Sequence, residues 1–257
     1  MIMTVLITDA KKLLGSSGTQ LSTKTRSNGI IYAYDTLLID TDIGNVEKYM
    51  HCVRRAGSMY GLSFNWKKLE LVSSTEVSSI SAPTGDAISP KGQIVYLECT
   101  ITADGTAGSE LNRRLGAARA EFEQLRRVWS HSGISRARKL EIFNACVISK
   151  LLYNLHSLWL SPAEAQKVDG FQSRCLRRVM KIPFSYYSHI TNASVLQQAN
   201  AKSLSRLLLE RQLTWMGTLA RRSETDIVRQ SIFDSSSLSF QPREPAGKRR
   251  RGRPKTS

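Results

Sequence analysis

The chain has 257 residues, 41% of them hydrophobic, and carries 37 Lys and Arg against 21 Asp and Glu, a formal net charge of +16. That apolar share supports a packed core in one or two domains and excludes a disordered polymer, while the charge calls for a polyanionic partner, most economically RNA or DNA. With no apolar run of about 18 residues and no secretory leader, a membrane-spanning or exported chain is excluded too, so the expected location is intracellular, in the nucleus.

Met1 to Leu14 reads as an amphipathic helix whose Asp9, the only acid before Asp35, is not read as a metal ligand, and a Ser/Gly/Thr loop follows to Asn28. Two apolar runs, Ile30 to Tyr32 and Leu37 to Ile39, flank the break Tyr34-Asp35-Thr36, which predicts a β-hairpin over Gly29 to Ile39. Asp40 and Asp42 suit the turn and cap of a helix expected from Val46 to Met59 and ended by Gly61. Strands are expected near Lys68 to Ser73 and Gln93 to Thr102. From Gly108 the pattern turns helical. Leu140, Phe143, Val147, Leu151, Leu155 and Leu158 recur at three- and four-residue steps as one buried stripe. Ser161 and Pro162 cap and open a helix that stops before Pro183, and a last long helix covers Leu204 to Arg222. From Ser223 the periodicity is lost. The fold class expected is α+β, divided as 1–107, 108–222 and a flexible basic tail over 223–257.

Other residues carry less. Cys52, Cys99, Cys146 and Cys175 are scattered, with no Cys-x-x-Cys and no His at zinc spacing, so reduced thiols and no structural metal are expected. The four histidines show no acid-base pattern, and Trp129, Trp159 and Trp215 are expected in core packing.

Tyr32-Ala33-Tyr34-Asp35 followed by an aliphatic strand resembles the palm hairpin of non-LTR (LINE-type) retrotransposon reverse transcriptases, which commonly reads Tyr-Ala-Asp-Asp. Gly61-Leu62-Ser63-Phe64-Asn65 with Lys67, Lys68 and Glu70 is similar to the family's next palm element. Val95 to Gly105 is similar to the primer-grip segment, commonly Tyr-Leu-Gly and ending in Asp-Gly, with Glu98 at the glycine position. Glu110 to Trp129 and Lys139 to Trp159 resemble the thumb helices. Ile190 to Leu196 and Arg211 to Arg222 resemble the distal region, where Thr218 takes the histidine position of a Trp-x-Gly-His-x-x-Arg pattern.

The resemblance implies a truncated palm remnant followed by a helical thumb-like region, and Mg²⁺ as cofactor of any active form. Nucleotide transfer there needs two ions roughly 3.5–4 Å apart, held by carboxylates. Asp35 is the surviving turn ligand, since the Tyr34 phenol is neutral near pH 7 and a poor partner for a hard cation. The family's other metal-binding aspartate lies on an earlier strand, and only Met1 to Asn28 precede this hairpin, so that strand and the fingers are expected to be absent. Asp40 and Asp42 belong to the turn and cap in this reading.

Arg174, Arg177, Arg178 and Lys181 lie on a helix whose apolar side is Val168, Phe171, Cys175 and Val179. Arg174, Arg178 and Lys181 share a face that suits a phosphate backbone; an ordinary solvated face is the other reading, and the family's thumb implies contact. Arg113, Arg114, Arg126 and Arg127 are read the same way. The tail sets Arg243, Lys248, Arg249, Arg250, Arg251, Arg253 and Lys255 against the lone acid Glu244. Its Arg-Gly-Arg-Pro is similar to an AT-hook core, which lies in the A·T minor groove, and the run also suits nuclear localisation. The function expected is a degenerate fragment of an RNA-directed DNA polymerase, inactive alone, that retains binding to RNA or DNA. The alternatives are a non-catalytic nucleic-acid-binding module with an AT-hook-like tail, or a truncated form of an intact reverse transcriptase.

Overall fold

A computed structural model of the chain describes residues 2–16, 29–75, 79–82 and 85–233. It is an α+β protein in two units, Met1–Gly105 with Ala220–Ser257, and Thr106–Leu219.

In the first unit α1 (Ile2–Ser16) lies on α2 (Ile43–Met59), burying Leu6, Ile7, Ala10 and Leu14 against Tyr49, Val53 and Ala56. Between them in sequence, β1 (Gly29–Tyr32) and β2 (Asp35–Leu38) form the expected antiparallel hairpin, with Tyr32 opposite Asp35. Ile31 and Leu38 pack on the α1–α2 core, which fixes the hairpin's face. Asp42 caps α2 by accepting from the Asn45 amide at 2.8 Å, and Asp40 accepts from the Asp42 amide at 2.9 Å. Helix α2 begins three residues before the expected Val46, because this Asx turn organises the entry. It ends where Gly61 takes φ +68 and the Leu62 amide donates back to the Gly57 carbonyl at 2.9 Å.

The chain beyond Gly61 is a set of short pairings. After a 3₁₀ turn at Trp66–Lys68 come β3 (Leu71–Val72), β4 (Ile80–Ser81), β5 (Ala87–Ile88), β6 (Pro90–Lys91), β7 (Gln93–Tyr96) and β8 (Cys99–Thr102). β3 pairs parallel with β6, and β4 pairs antiparallel with β5. The single strand expected over Gln93 to Thr102 is instead a hairpin of β7 and β8, with Tyr96 opposite Cys99. Its two-residue turn puts Leu97 at φ 48 and Glu98 at φ 60, left-handed conformations that tight hairpins ordinarily give to Asn or Gly. The Tyr96 hydroxyl donates to the Ile30 carbonyl at 3.3 Å, joining the second hairpin to the first.

The second unit is helical: α3 (Gly108–Gln124), α4 (Arg126–Ser130), α5 (Arg136–Ile142), α6 (Ser149–Leu152), α7 (Pro162–Met180), α8 (Ser185–Ser188), α9 (Asn192–Gln198) and α10 (Leu204–Ala220). Leu111, Leu115, Phe122, Phe143, Val147, Leu151, Leu155, Phe171 and Leu176 fill its core. The expected stripe is buried, but the helix carrying it is not continuous. Residues Phe143–Ile148 form a π turn, and Asn154 at φ 58 breaks the chain before a 3₁₀ turn at Leu155–Ser157. Trp159 therefore lies outside any helix and is 80% exposed, whereas Trp129 is buried, stacked on Phe122 at 5.1 Å with its indole N–H on the Phe122 carbonyl at 2.8 Å. Lys139 is buried and donates to the Trp129 and His131 carbonyls at 3.0 and 2.7 Å, capping α4.

Helix α7 begins with a full capping box: Ser161 accepts from the Glu164 amide, and the Glu164 carboxylate accepts from the Ser161 amide at 2.8 Å. Farther along, Asp169 accepts from the Ser205 amide and hydroxyl at 2.8 and 2.6 Å. Gln172 accepts from the Leu204 amide at 3.0 Å and donates to the Lys202 carbonyl at 2.9 Å. Side chains of one helix thus satisfy the unpaired first-turn donors of another.

Beyond Ser223, where no element is expected, α11 (Ile227–Ile232) belongs to the first unit and is capped by Asp226. Six residues are too few to show a helical period, and Asp226 was the only local signal. No described helix is long and apolar enough to cross a membrane.

The β7–β8 turn generates a stability prediction. A left-handed non-glycine residue costs about 1–2 kcal/mol, partly offset by the greater chain entropy glycine loses on folding. Glu98→Gly is expected to raise stability by about 0.5–1 kcal/mol in urea denaturation, and Glu98→Ala to give no such gain.

Candidate nucleic-acid interface

The turn of the first hairpin is Ala33-Tyr34, with Ala33 at φ 50, so Asp35 begins β2 rather than sitting inside the turn. Tyr34 is 80% exposed. Asp35 borders a hollow of about 390 Å³ whose other charged lining residues are Arg54 and Lys68. Asn65 and Ser63, from the segment read as the next palm element, line the same hollow. Tyr96 of the second hairpin is close enough that burial and the Asp35 charge together raise its phenol above the ordinary value. The resemblance implies Mg²⁺ here, and the donor set does not fit it. Asp35 shares its hollow with two cations, and among the described residues no group of three or more His, Cys, Asp or Glu could hold a metal ion. Asp9 accepts from the Tyr60 hydroxyl at 2.6 Å, which pulls the carboxyl below its ordinary value; it ties α1 to the end of α2.

The basic pairs divide into different roles. Arg113 grips the Glu110 carboxylate through Nε and Nη2 at 2.8 and 2.9 Å, and Arg114 Nε reaches the same carboxylate at 2.6 Å. Glu110 is fully buried, and Arg114 is buried with its guanidinium over the Tyr153 ring at 4.4 Å. A buried carboxylate needs such neutralisation, so Arg113 and Arg114 serve the interior of α3 in this structure. Of the candidate cations on α7, Arg178 pairs with Glu123 through both terminal nitrogens and lies over Phe122 at 5.4 Å. That bond holds Glu123 below the ordinary carboxylate range.

Arg174, Arg178 and Lys181 do come together, as their spacing predicts. They are exposed along one side of a cleft of about 630 Å³ between α3 and the end of α7. Phe122, Phe171 and Phe184 give it aromatic lining, and Arg119 of α3 closes it opposite. Arg119, Arg174 and Lys181 have no acidic partner among the described residues. Arg119 was missed by sequence reasoning; its signal is one helical turn before Glu123 on the same face. Cys175 is buried at the cleft floor, where burial pushes its thiol up to about 12. Lys181 closes α7 in a left-handed conformation at φ 58, which turns the chain toward Pro183.

Arg177 departs from its neighbours. It is 5% exposed, and its guanidinium donates to the Pro183 carbonyl at 2.9 Å, the Ile190 carbonyl at 2.6 Å and Asn192 Oδ1 at 3.1 Å. The segment from Pro183 to Asn192 is folded around it. The tail cations Lys248, Arg249, Arg250, Arg251 and Arg253 lie outside the described residues. No protein-family model, no curated protein and no solved structure matches the chain.

Two outcomes follow from these burials. Arg177→Met removes the charged donor to the Ile190 carbonyl and Asn192 Oδ1 and leaves the Pro183 carbonyl to the Ser188 hydroxyl, and is expected to destabilise the protein by about 2–3 kcal/mol in thermal or urea unfolding. In native protein at pH 8, Cys175 is expected to be the last thiol alkylated by iodoacetamide, reacting on the timescale of unfolding; mapping the labelled peptides over time checks it.

Proposed function

We propose that this chain is a degenerate reverse-transcriptase fragment, of non-LTR retrotransposon type, that binds nucleic acid and does not polymerise by itself. The observation that carries the binding half is the cleft of the second unit, where Arg119, Arg174 and Lys181 stand without acidic partners beside an aromatic lining. Cations so placed release condensed counterions when they meet phosphates. The order of blocks supports the descent: a hairpin bearing Asp35, then the Gly61 to Glu70 segment, then a second hairpin bonded to the first through Tyr96. The inactive half rests on Asp35 and its cationic neighbours, which supply too few hard oxygen ligands for two magnesium ions. The Lys/Arg-rich tail, Lys248 to Lys255, fits both added phosphate contact and delivery to the nucleus.

A non-catalytic binding module with an AT-hook-like tail is the second reading, favoured by the same cleft and by the Arg-Gly-Arg-Pro tail. A competition between A·T-rich and G·C-rich duplexes separates it from general phosphate binding.

With the full chain, nucleic-acid affinity is expected to fall steeply as salt rises. Arg174→Gln and Lys181→Gln should each weaken binding and flatten the log–log salt dependence by up to about 0.9 on duplex. Unchanged affinity and slope in the double variant would remove the cleft from the interface. No primer extension is expected with Mg²⁺ or Mn²⁺, and extension abolished by Asp35→Ala would defeat the proposal of inactivity.

A further inference from the structure

Beside the cleft, the chain displays an aromatic turn that its own packing does not use. Phe184, Tyr186 and Tyr187 fall within four residues and are 66%, 83% and 74% exposed. Rings of this size are ordinarily drawn into a core or an interface, so three together on a surface mark a place where something docks.

The turn that carries them is firmly held. Pro183 and Ile190, on either side, both receive hydrogen bonds from the buried Arg177 guanidinium. Ser188 Oγ donates back to the Pro183 carbonyl at 3.1 Å, and the amides of Tyr187 and Ser188 donate to the Phe184 carbonyl at 2.9 and 3.0 Å. His189 closes the turn at φ 54. The two tyrosine rings stand edge to face at 5.3 Å, so they present their faces in different directions. A buried cation and a ring of backbone bonds thus fix the backbone that carries the exposed aromatics before any partner arrives, which lowers the ordering cost of binding.

The neighbourhood selects the partner. Phe184 is itself a wall of the cleft lined by Arg119, Arg174 and Lys181, so the aromatic turn adjoins three cations that have no acidic partner among the described residues. That combination matches unpaired bases on a phosphate backbone. A duplex keeps its bases stacked on one another and offers the rings nothing, whereas a single strand offers both groups. We propose that the turn Phe184 to Tyr187 and the adjoining cleft form a stacking platform for single-stranded RNA or DNA, with bases on the rings and backbone phosphates on Arg174 and Lys181. This deepens the reading of a nucleic-acid-binding chain and rests on it.

The test uses the full chain and fluorescence anisotropy with labelled oligouridylate, oligothymidylate and a mixed-sequence duplex at one fixed salt concentration. The tail is present in every variant, so the readout is the ratio of single-strand to duplex affinity. Tyr186→Ala combined with Tyr187→Ala is expected to weaken both single strands about 10- to 100-fold and to change duplex affinity less than about threefold. Its salt dependence should match the parent's, because no phosphate contact is lost. The double Tyr→Phe variant should restore binding, since the ring face and not the hydroxyl carries the stack. Circular dichroism and light scattering accompany each variant. Equal losses on single strand and duplex, no loss on either, or a change in oligomeric mass that makes the patch a protein contact would each overturn the platform. Tight duplex binding without any preference for single strands would sink the platform and leave the proposed function standing; binding to neither would sink both.

Discussion

The course of the chain after α7 depends on one buried charge. Arg177 sits on the inward side of the helix between Arg174 and Arg178, and four residues of the following segment fold onto its guanidinium as backbone or side-chain acceptors. Successive residues on a helix are about 100° apart, so neighbours in sequence meet different surroundings. Arg174 looks onto the cleft, Arg177 is enclosed, and Arg178 is drawn across to Glu123. Three arginines of one basic run therefore do three different things, and the enclosed one sets where Pro183 to Asn192 can go. The aromatic lining contributed by Phe184 follows from that enclosure.

Electrostatic surroundings also decide what the β1–β2 hairpin can do. A two-ion centre needs a concentrated negative field, and Asp35 meets Arg54 and Lys68 across its hollow. Arg54 lies over Trp66 at 6.0 Å, an arrangement that orients a cation near the hairpin. The strand–turn–strand geometry does not depend on the sign of that field. Hairpin shape is maintained by Ile31 and Leu38 on the α1–α2 core, which makes no demand on the residue at position 34 or on ligand charge.

How far the sequence was legible follows the range of the interactions involved. The Gly29 to Ile39 hairpin and the α7 start were readable because alternation, Ser161, Pro162 and Glu164 act locally. The Asp40 and Asp42 cap was readable for the same reason. The β7–β8 turn was not, because Leu97-Glu98 lacks the glycine or asparagine that announces a two-residue turn, and the strained conformation is imposed by pairing on both sides. The break at Asn154 and the π turn before it leave the apolar stripe intact, so periodicity gave no warning, and Trp159 was misplaced with it. At the candidate interface, spacing grouped Arg174, Arg178 and Lys181 correctly. It could not tell that Glu110 would take Arg113 and Arg114 inward, since the burial of Glu110 depends on the tertiary packing of α3.

That last distinction changes what a net charge of +16 means. A cation bonded within the fold would release no counterions to a polyanion, so Arg113, Arg114, Arg177 and Lys139 add to the formal charge without adding to the cationic surface open to one. Arg178 is offset by Glu123, Lys150 by Glu121, and Lys202 by Glu210. Around the cleft, Arg119, Arg174 and Lys181 remain. Three phosphate contacts give a salt dependence of at most about 2 on a single strand and slightly under 3 on duplex. A steeper dependence for the whole chain would have to draw on cations elsewhere, first among them the Lys248 to Lys255 run. Formal net charge thus overstates the positive charge open to any polyanion, because the pairing of individual cations decides how much of that charge is exposed.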